Sequence, residues 1–478
     1  MRRTMLVSDA PQMARSSRKS LQTVPPLVDW RTQIESLLPA ESRLEEYFDR
    51  LWPICRSITG HGFRSSLGIL SEVAAYKVTE IPSGTKVLDW IVPSEWNIDD
   101  AYVENERGER VIDFKKNNLH VVSYSVPVDE WLPLEELQTH LYSLPQLPNA
   151  IPYLTSYYNP RWGFCLSEEH RRTLAPGRYH AVVKSSLTRG HLTLGQRVLP
   201  ATVGRAKPPE ILLSTYLCHP SLANNELSGP LVTTFLCESL QKIPNRRFQY
   251  RFLVVPETIG SIAFLARHGK ELKRTLHGGF VVTCVGDDRR IRYQRSRRGD
   301  AIVDRIAEVE LRAYGKPFDI YDYRPHGSDE RQYCSPGFNL PVGSLMRSTY
   351  DTYPEYHTSL DNKSFISFSG LRESIGLYLR LLLAIELNET YVSTVIHGEP
   401  RYGVRGLYPS LGSERENMSF IEQMMWIVNQ SDGTNDLCAI ARRAGCSILD
   451  LAPIAERLLE KGLLQVKRRR HVGSGRQP

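Results

Sequence analysis

Scarcities narrow this chain first. It has eight cysteines in 478 residues and no Cys-x-x-Cys pair, which argues against both a disulfide-stapled scaffold and a cysteine zinc knuckle. No apolar run reaches membrane-span length, and the first residues lack the apolar stretch of a signal peptide. A reduced, cytoplasmic protein with no membrane partner is the expectation. Charge imbalance is small, +7 at pH 7. Part of it lies in the tails, at Arg2, Arg3, Arg15, Arg18 and Lys19, and again at Lys467 to Arg470. Little is left for a nucleic-acid surface on the body. Hydrophobic content of 41% and charged content of 24% are those of an ordinary soluble globular chain. The length suits roughly two to four domains.

What is present is ordered along the chain. Residues 1–38 are polar and aperiodic, a disordered leader. From Glu41 the apolar residues Leu44, Tyr47, Phe48, Leu51 and Trp52 recur at helical spacing, and Phe63 to Tyr76 reads as a second helix. Residues 86–204 change character. Short β-like runs such as Val87–Val92, Tyr102-Val103, His120–Val126 and Tyr179–Val183 are separated by proline-rich joints, the pattern of a separate, mostly β domain. From Glu210 strands alternate with helices. Strands are expected at 211–217, 250–255, 279–285 and 340–343, and helices at 231–240, 262–267, 301–314 and 371–387. That alternation predicts an α/β core over 39–85 and 205–400, with a mainly parallel sheet and helices on both faces. Residues 412–470 read as helix, helix-turn-helix and strand, a winged helix with its turn at Gly445-Cys446-Ser447.

The central stretch is Ile211–Gly229, ILLSTYLCHPSLANNELSG. A buried parallel strand ends at Cys218-His219-Pro220. A short polar loop with Asn224, Asn225 and Glu226 then leads into a helix. In open α/β sheets this carboxyl edge is where ligands bind. Further constellations fall at later strand ends or in adjoining loops: Glu257 in Pro256–Gly260, Asp287 after Val285, Asp329 and Glu330 in Pro325–Arg331, and Tyr356-His357 before another helix. Imidazoles and carboxylates in such places can bind zinc, and a separate carboxylate can take a proton from water. Taken singly, each is more often a structural hydrogen-bonding group.

Together these motifs resemble the co-catalytic zinc aminopeptidase family, which also includes the glutaminyl cyclases. His219, Ala223–Gly229, Pro256–Gly260, Gly327–Asp329 with Cys334–Pro341, and Tyr356–Asp361 match its successive motifs. The whole layout resembles a bacterial subgroup of polysaccharide-biosynthesis-associated proteins with an aminopeptidase-like domain, an inserted β domain and a C-terminal winged helix. Trp96-Asn97-Ile98, Asp113–His120 and Ser296–Gly299 look like its hallmarks. The resemblance implies Glu257 as general base and His219 and His357 as metal ligands. It also exposes departures. The bridging aspartate falls on Asn225, the second glutamate on Thr258, and a further aspartate on Thr283. Either one zinc ion is held with help from Glu226, Asp287 or Asp329, or none is. Glu226 is the preferred third ligand, with helix capping as its plain structural alternative.

For substrate binding the expectation is Asn225, Arg297, Arg298, Asp329, Glu330 and Tyr356; the two arginines suit a carboxylate or phosphate. The function implied is a zinc-dependent hydrolase of aminopeptidase or amidase type, acting on a small amide or peptide-like substrate in a biosynthetic pathway. The alternatives are a degenerate aminopeptidase-like binding module and a regulator using the winged helix. The helix expected to enter DNA, Ser447 to Arg457, carries Asp450 and Glu456 but few cations. A protein contact or homo-oligomer through the winged helix is therefore favoured over nucleic acid.

Overall fold

In a computed structural model, residues 29–204, 206–407 and 415–467 are described. The chain begins with helices α1 (Trp30–Leu37), α2 (Glu41–Leu51) and α3 (His61–Ala74). The first of these lies within the stretch expected to be a disordered leader. Asp29 caps it by accepting from the Arg31 N–H, and it packs on the last core helix. Residues 1–28 of that leader lie outside the described residues.

An eight-stranded sheet forms the core. Its strands in chain order are β1 (Lys77–Pro82), then, after the insert, β6 (His191–Leu199), β7 (Glu210–Tyr216), β8 (Gln249–Val255), β9 (Leu276–Val282), β10 (Ile291–Gln294), β11 (Phe318–Tyr321) and β12 (Val342–Met346). The spatial order is β1-β6-β8-β7-β9-β12-β10-β11. The centre, β8-β7-β9-β12, is parallel, and β1 and β6 close one side antiparallel. The helices are α4 (Ser228–Gln241), α5 (Ile259–Thr275), α6 (Ile302–Tyr314) and α7 (Phe368–Leu387). Every residue of β7 is buried. Ile211 and Leu213 pack in the layer of α2, α3, α4, α6 and α7, while Leu212 packs in the layer of α5. The period-two alternation of a strand thus feeds both faces. Gly229 lets α4 close on the sheet: a Cβ there would meet the Val282 carbonyl at 2.3 Å.

The insert is built on β2 (Glu95–Asn105), β3 (Arg110–Asp113), β4 (Val128–Pro133) and β5 (Arg178–Thr188), in the antiparallel order β3-β2-β5-β4. Its boundary is tighter than the composition suggested, because β6 belongs to the core sheet. Two expected strands differ. Val87–Val92 is a two-residue hairpin that turns at Leu88 with φ 55. His120–Val126 is irregular and touches other backbone through single bridges, Val121 to Phe164 and Ser123 to Thr155.

The C-terminal module has β13 (Thr390–Ser393), α8 (Arg415–Gln430), β14 (Asp432–Asp436), α9 (Leu437–Ala444), α10 (Ile448–Glu460) and β15 (Leu464–Val466). Its sheet runs β14-β13-β15, so it begins at β13, upstream of residue 412. Its apolar residues join the same core cluster as α7. No helix among the described residues is long and apolar enough to cross a membrane.

Candidate functional site

The polar loops after β7, β8, β9 and β12 meet at the carboxyl edge of the sheet. His219 is 4% exposed. Its Nδ1 lies 2.7 Å from Glu226 Oε2, and the Cys218 N–H donates to the other Glu226 oxygen. Behind it the buried Arg56 donates Nε–H to the His219 carbonyl at 3.2 Å. Burial pulls the imidazole pKa down, but the Glu226 and Glu257 charges outweigh burial and raise it. Glu226 sits in a π-type turn, Ala223–Leu227, just before α4; such turns cluster at functional sites.

Glu257 follows β8 and keeps 23% of its side chain exposed. Its Oε1 accepts the Ser328 hydroxyl at 2.6 Å, and its Oε2 lies 3.6 Å from His219 Nε2. The backbone here is strained. Thr258 has φ 63 and ψ −74, and the Ile259 N–H closes onto the Glu257 carbonyl at 2.7 Å, a γ-turn of the rare hand. Asp329 holds that turn by accepting the Thr258 N–H and the Ser261 hydroxyl at 2.8 and 2.7 Å. Burial and then the Glu257 charge push Asp329 up to about 7. Glu330 is likewise pushed up to about 7, mainly by burial. It accepts the Ser328 N–H at 3.1 Å and Gln294 Nε2 at 3.3 Å, which organises the loop.

His357, with φ 53, stacks on Tyr356 at 4.0 Å, and its ring centre is 5.3 Å from that of His219. Burial, then the neighbouring His219, pushes it down to about 3, so it is neutral at physiological pH. Tyr153, from the insert, lies against both imidazoles at 4.7 and 5.4 Å and donates its N–H to the His357 carbonyl at 2.8 Å. The insert thus contributes a wall to this site. Nothing in the run around Tyr153 announced that, nor did the sequence mark Arg56 or Tyr216; Ser328 lay inside the Gly327–Asp329 motif without a role assigned to it.

Not every expected residue converges. Asp287 accepts Asn224 Nδ2 and the Arg289 N–H, each at 2.8 Å, so it fixes its own loop. Arg297 and Arg298 lie exposed on the turn after β10, where Arg298 donates to the Asn339 carbonyl at 2.9 Å. Asn225 gives Nδ2–H to the Tyr216 hydroxyl at 3.2 Å, and its Oδ1 is buried without a partner among the described residues. Thr283 Oγ1 is 2.6 Å from the same hydroxyl. Asp361 receives the Asn224 and Asn225 N–H groups at 2.6 and 2.9 Å.

Residues 45–388 match the family model described as a domain of unknown function, DUF4910, and residues 389–466 match a winged helix-turn-helix model. A protein of Clostridium acetobutylicum, named as a polysaccharide biosynthesis protein with aminopeptidase-like domain, is 44% identical over 418 residues, covering 87% of this chain and 95% of its own. The chain belongs to the DUF4910 family. A crystal structure from the same organism, named only by resemblance as that of a peptidase, superposes with TM-score 0.84 and 42% identity, covering 91% of this chain and 98% of that one. The Bacillus subtilis zinc aminopeptidase BSAP gives 0.51 at 10% identity, over 74% and 93% of the two chains. The core of this DUF4910 protein is therefore aminopeptidase-like in fold.

The fold neighbour BSAP is a zinc enzyme, so the residues must be tested against zinc. A pair of ions does not fit this DUF4910 site: Asn225, Thr258 and Thr283 bring no charge to separate two cations. One ion fits better. With Nδ1–H given to Glu226, His219 can present its Nε2 lone pair to a metal once the ring gives up the second proton that Glu226 and Glu257 favour, the arrangement of a carboxylate–histidine–metal unit. His357 is held neutral, and Asn225 Oδ1 is a buried acceptor without a partner among the described residues. Cys218, His219 and Glu226 also offer ligand atoms all within 4.8 Å. Both Glu226 oxygens are already engaged, however, and burial pushes the Cys218 thiol well up. In this structure Glu226, expected from its position as the third ligand, holds the His219 ring through Nδ1.

Proposed function

We propose that this protein is an amidase-type hydrolase acting on a small amide or peptide-like compound, with Glu257 as its base and one zinc ion held by His219 and His357. The name of the 44% identical relative supports placing it in polysaccharide biosynthesis. The observation that carries the reading is the line Glu226–His219–Glu257, with separations of 2.7 and 3.6 Å. Lewis acidity toward a carbonyl is what the ion supplies when bound. The chain's own residues do the rest. Glu226 fixes the His219 ring through Nδ1. Ser328 holds Glu257 Oε1, leaving Oε2 to take a proton from the attacking water and return it to the leaving amine. Tyr153 and Tyr356 wall the imidazoles from bulk water.

The test is metal content and turnover together. Wild type supplied with zinc should retain about one ion per chain, the double variant His219→Ala with His357→Ala should retain none, and Glu257→Gln should keep the ion while losing hydrolysis of aminoacyl anilides and amides. Zinc-free wild type that still turns substrate over would sink the metal; an unaffected Glu257→Gln rate would sink the base.

A second reading, ligand binding without turnover, is favoured by the neutral Asn225–Tyr216–Thr283 network. Saturable binding with no product in zinc-loaded protein would select it. A DNA-reading role is disfavoured because α10 is buried along Ile448, Leu449, Leu451, Ala452, Ile454, Ala455 and Leu458. It packs on this chain's own α7, α8 and α9.

A further inference from the structure

Where the winged helix meets the core, a buried charge is left with spare donors. Arg380 lies in the middle of α7 with its side chain 7% exposed, and its Nε is 2.7 Å from Glu310 Oε2. Glu310 is itself fully buried and shared. It accepts the Ser447 hydroxyl at 2.7 Å and the Ile448 N–H at 2.8 Å, at the start of α10. A guanidinium carries five donors, and one carboxylate already serving a helix end does not satisfy them. Among the described residues, Arg380 Nη2 has no hydrogen-bond partner.

Two cavities meet at this guanidinium. One, of about 890 Å³, lies between α1, α6 and α7; the other, of about 590 Å³, lies between α1, α8 and α10. Arg31 and Arg380 line both. The larger falls in the size range of small-molecule sites, and Ile34, Leu38 and Gly376 give it an apolar floor. Most acids on the walls are engaged. Glu35 pairs with Arg372 at 2.6 Å, and Glu373 pairs with Lys316 and Arg347 at 2.6 and 2.7 Å. Asp288 accepts the Ser367 hydroxyl, and Asp450 accepts the Ser447 N–H. That leaves cationic donors at the waist between the cavities.

We propose that this seam is a binding site for a small organic anion, whose carboxylate or phosphate group is held between Arg31 and Arg380. A planar or tetrahedral oxyanion takes parallel N–H bonds from a guanidinium fork. It also offsets a cation whose burial is otherwise matched by a shared carboxylate. Since Glu310 holds both Arg380 and the start of α10, occupancy would tighten the joint between core and winged helix. The site is separate from the sheet edge that carries His219 and Glu257, and it stands whether or not that edge is catalytic.

The experiment titrates the full chain with inorganic phosphate, pyrophosphate and citrate, against sodium chloride at matched ionic strength, by calorimetry and thermal melting. A saturable heat and a rise in Tm with at least one of them, beyond chloride, is expected. Phosphate or pyrophosphate acting without citrate assigns a phosphate group; citrate acting alone assigns a carboxylate. Arg31→Ala should weaken the affinity about tenfold, as should Arg380→Lys, which keeps a charge beside Glu310 but loses the fork. Glu257→Gln should bind as wild type does. No anion response beyond chloride would overturn the proposal, and so would wild-type affinity in folded Arg31→Ala. That exposed variant decides the matter if Arg380→Lys does not fold.

Discussion

The loops at the sheet's carboxyl edge and the turns of the winged helix solve the same backbone problem in opposite ways. Both need residues with positive φ. Among the described residues of the winged helix, those are glycines: Gly398, Gly406, Gly433, Gly445 and Gly462. At the sheet edge, Gly327 apart, they are Ser221, Thr258, Cys284, Asp351 and His357, with φ between 48 and 63. A non-glycine residue there costs of order 1–3 kcal/mol and persists where the surroundings impose it. The contrast teaches that the winged helix is built for stability, whereas the sheet edge keeps side chains its backbone would rather shed. The way to break that contrast hardest is chemical. Glu257→Gln should lower turnover on aminoacyl anilides by about 10²–10⁴-fold while the melting temperature stays near wild type.

On the winged-helix side the largest effect should be structural. Glu310→Ala removes the acceptor from the Ser447 hydroxyl and the Ile448 N–H and leaves Arg380 without its carboxylate. Breaking a buried pair from one side costs about 3–5 kcal/mol. Denaturant unfolding should register a loss of that size, and zinc content should be unchanged. A loss below about 1 kcal/mol would mean that the seam is as solvated as a surface pair.

Why one region was easier to read from sequence than the other follows from the same contrast. The winged helix and β7 announce themselves because their apolar periods are unbroken, as in Ile211–Leu217 or Ile448–Leu458. His219 and Glu257 are legible as residues at strand ends. The roles of Glu226 and Asp287 are not, because a carboxylate near a histidine in sequence reads alike whether it binds a metal, orients the ring or ties a loop. Only the 2.7 Å contact to Nδ1 and the two 2.8 Å contacts to Asn224 and Arg289 separate these. The pairing of β1 with β6 was hidden for another reason: the whole insert lies between them, and strand pairing at that distance leaves no local pattern. Tyr153 belongs to the same class, a core-site residue delivered by the insert.

Acid should sharpen the comparison further. His357 is held down at about 3 in the folded state, against about 6.5 unfolded. Below pH 6.5 the unfolded chain takes up a proton that the folded chain refuses, so stability falls as pH drops toward 3. His357→Gln should abolish this part of the acid sensitivity, on the order of a few kcal/mol at pH 4. Stability curves of the two proteins that stay parallel from pH 7 to pH 4 would show the ring is hydrated and ordinary. Bound zinc would steepen the wild-type slope, because protonation competes with the metal, so the curves are best compared after chelation.

The smallest expected effect is the most direct test of the contrast, since it exchanges the two solutions. Thr258→Gly places at the γ-turn the residue its φ of 63 calls for. Relief of strain should outweigh the entropy that glycine adds to the unfolded chain, and stability should rise by about 0.5–1 kcal/mol. Gly445→Ala does the reverse. Gly445 has φ 68, and a Cβ added there would meet no atom of the described residues within 4 Å, so among them crowding is absent and the cost is the left-handed backbone alone, about 1 kcal/mol. Opposite signs of similar size would confirm that strain is stored at the sheet edge and avoided in the winged helix. A destabilised Thr258→Gly would instead show that contacts of the threonine side chain, such as the Arg331 Nη2–H bond to its hydroxyl at 3.0 Å, outweigh the backbone's preference. The strained turn would then be a consequence of packing rather than a reserve for positioning Glu257.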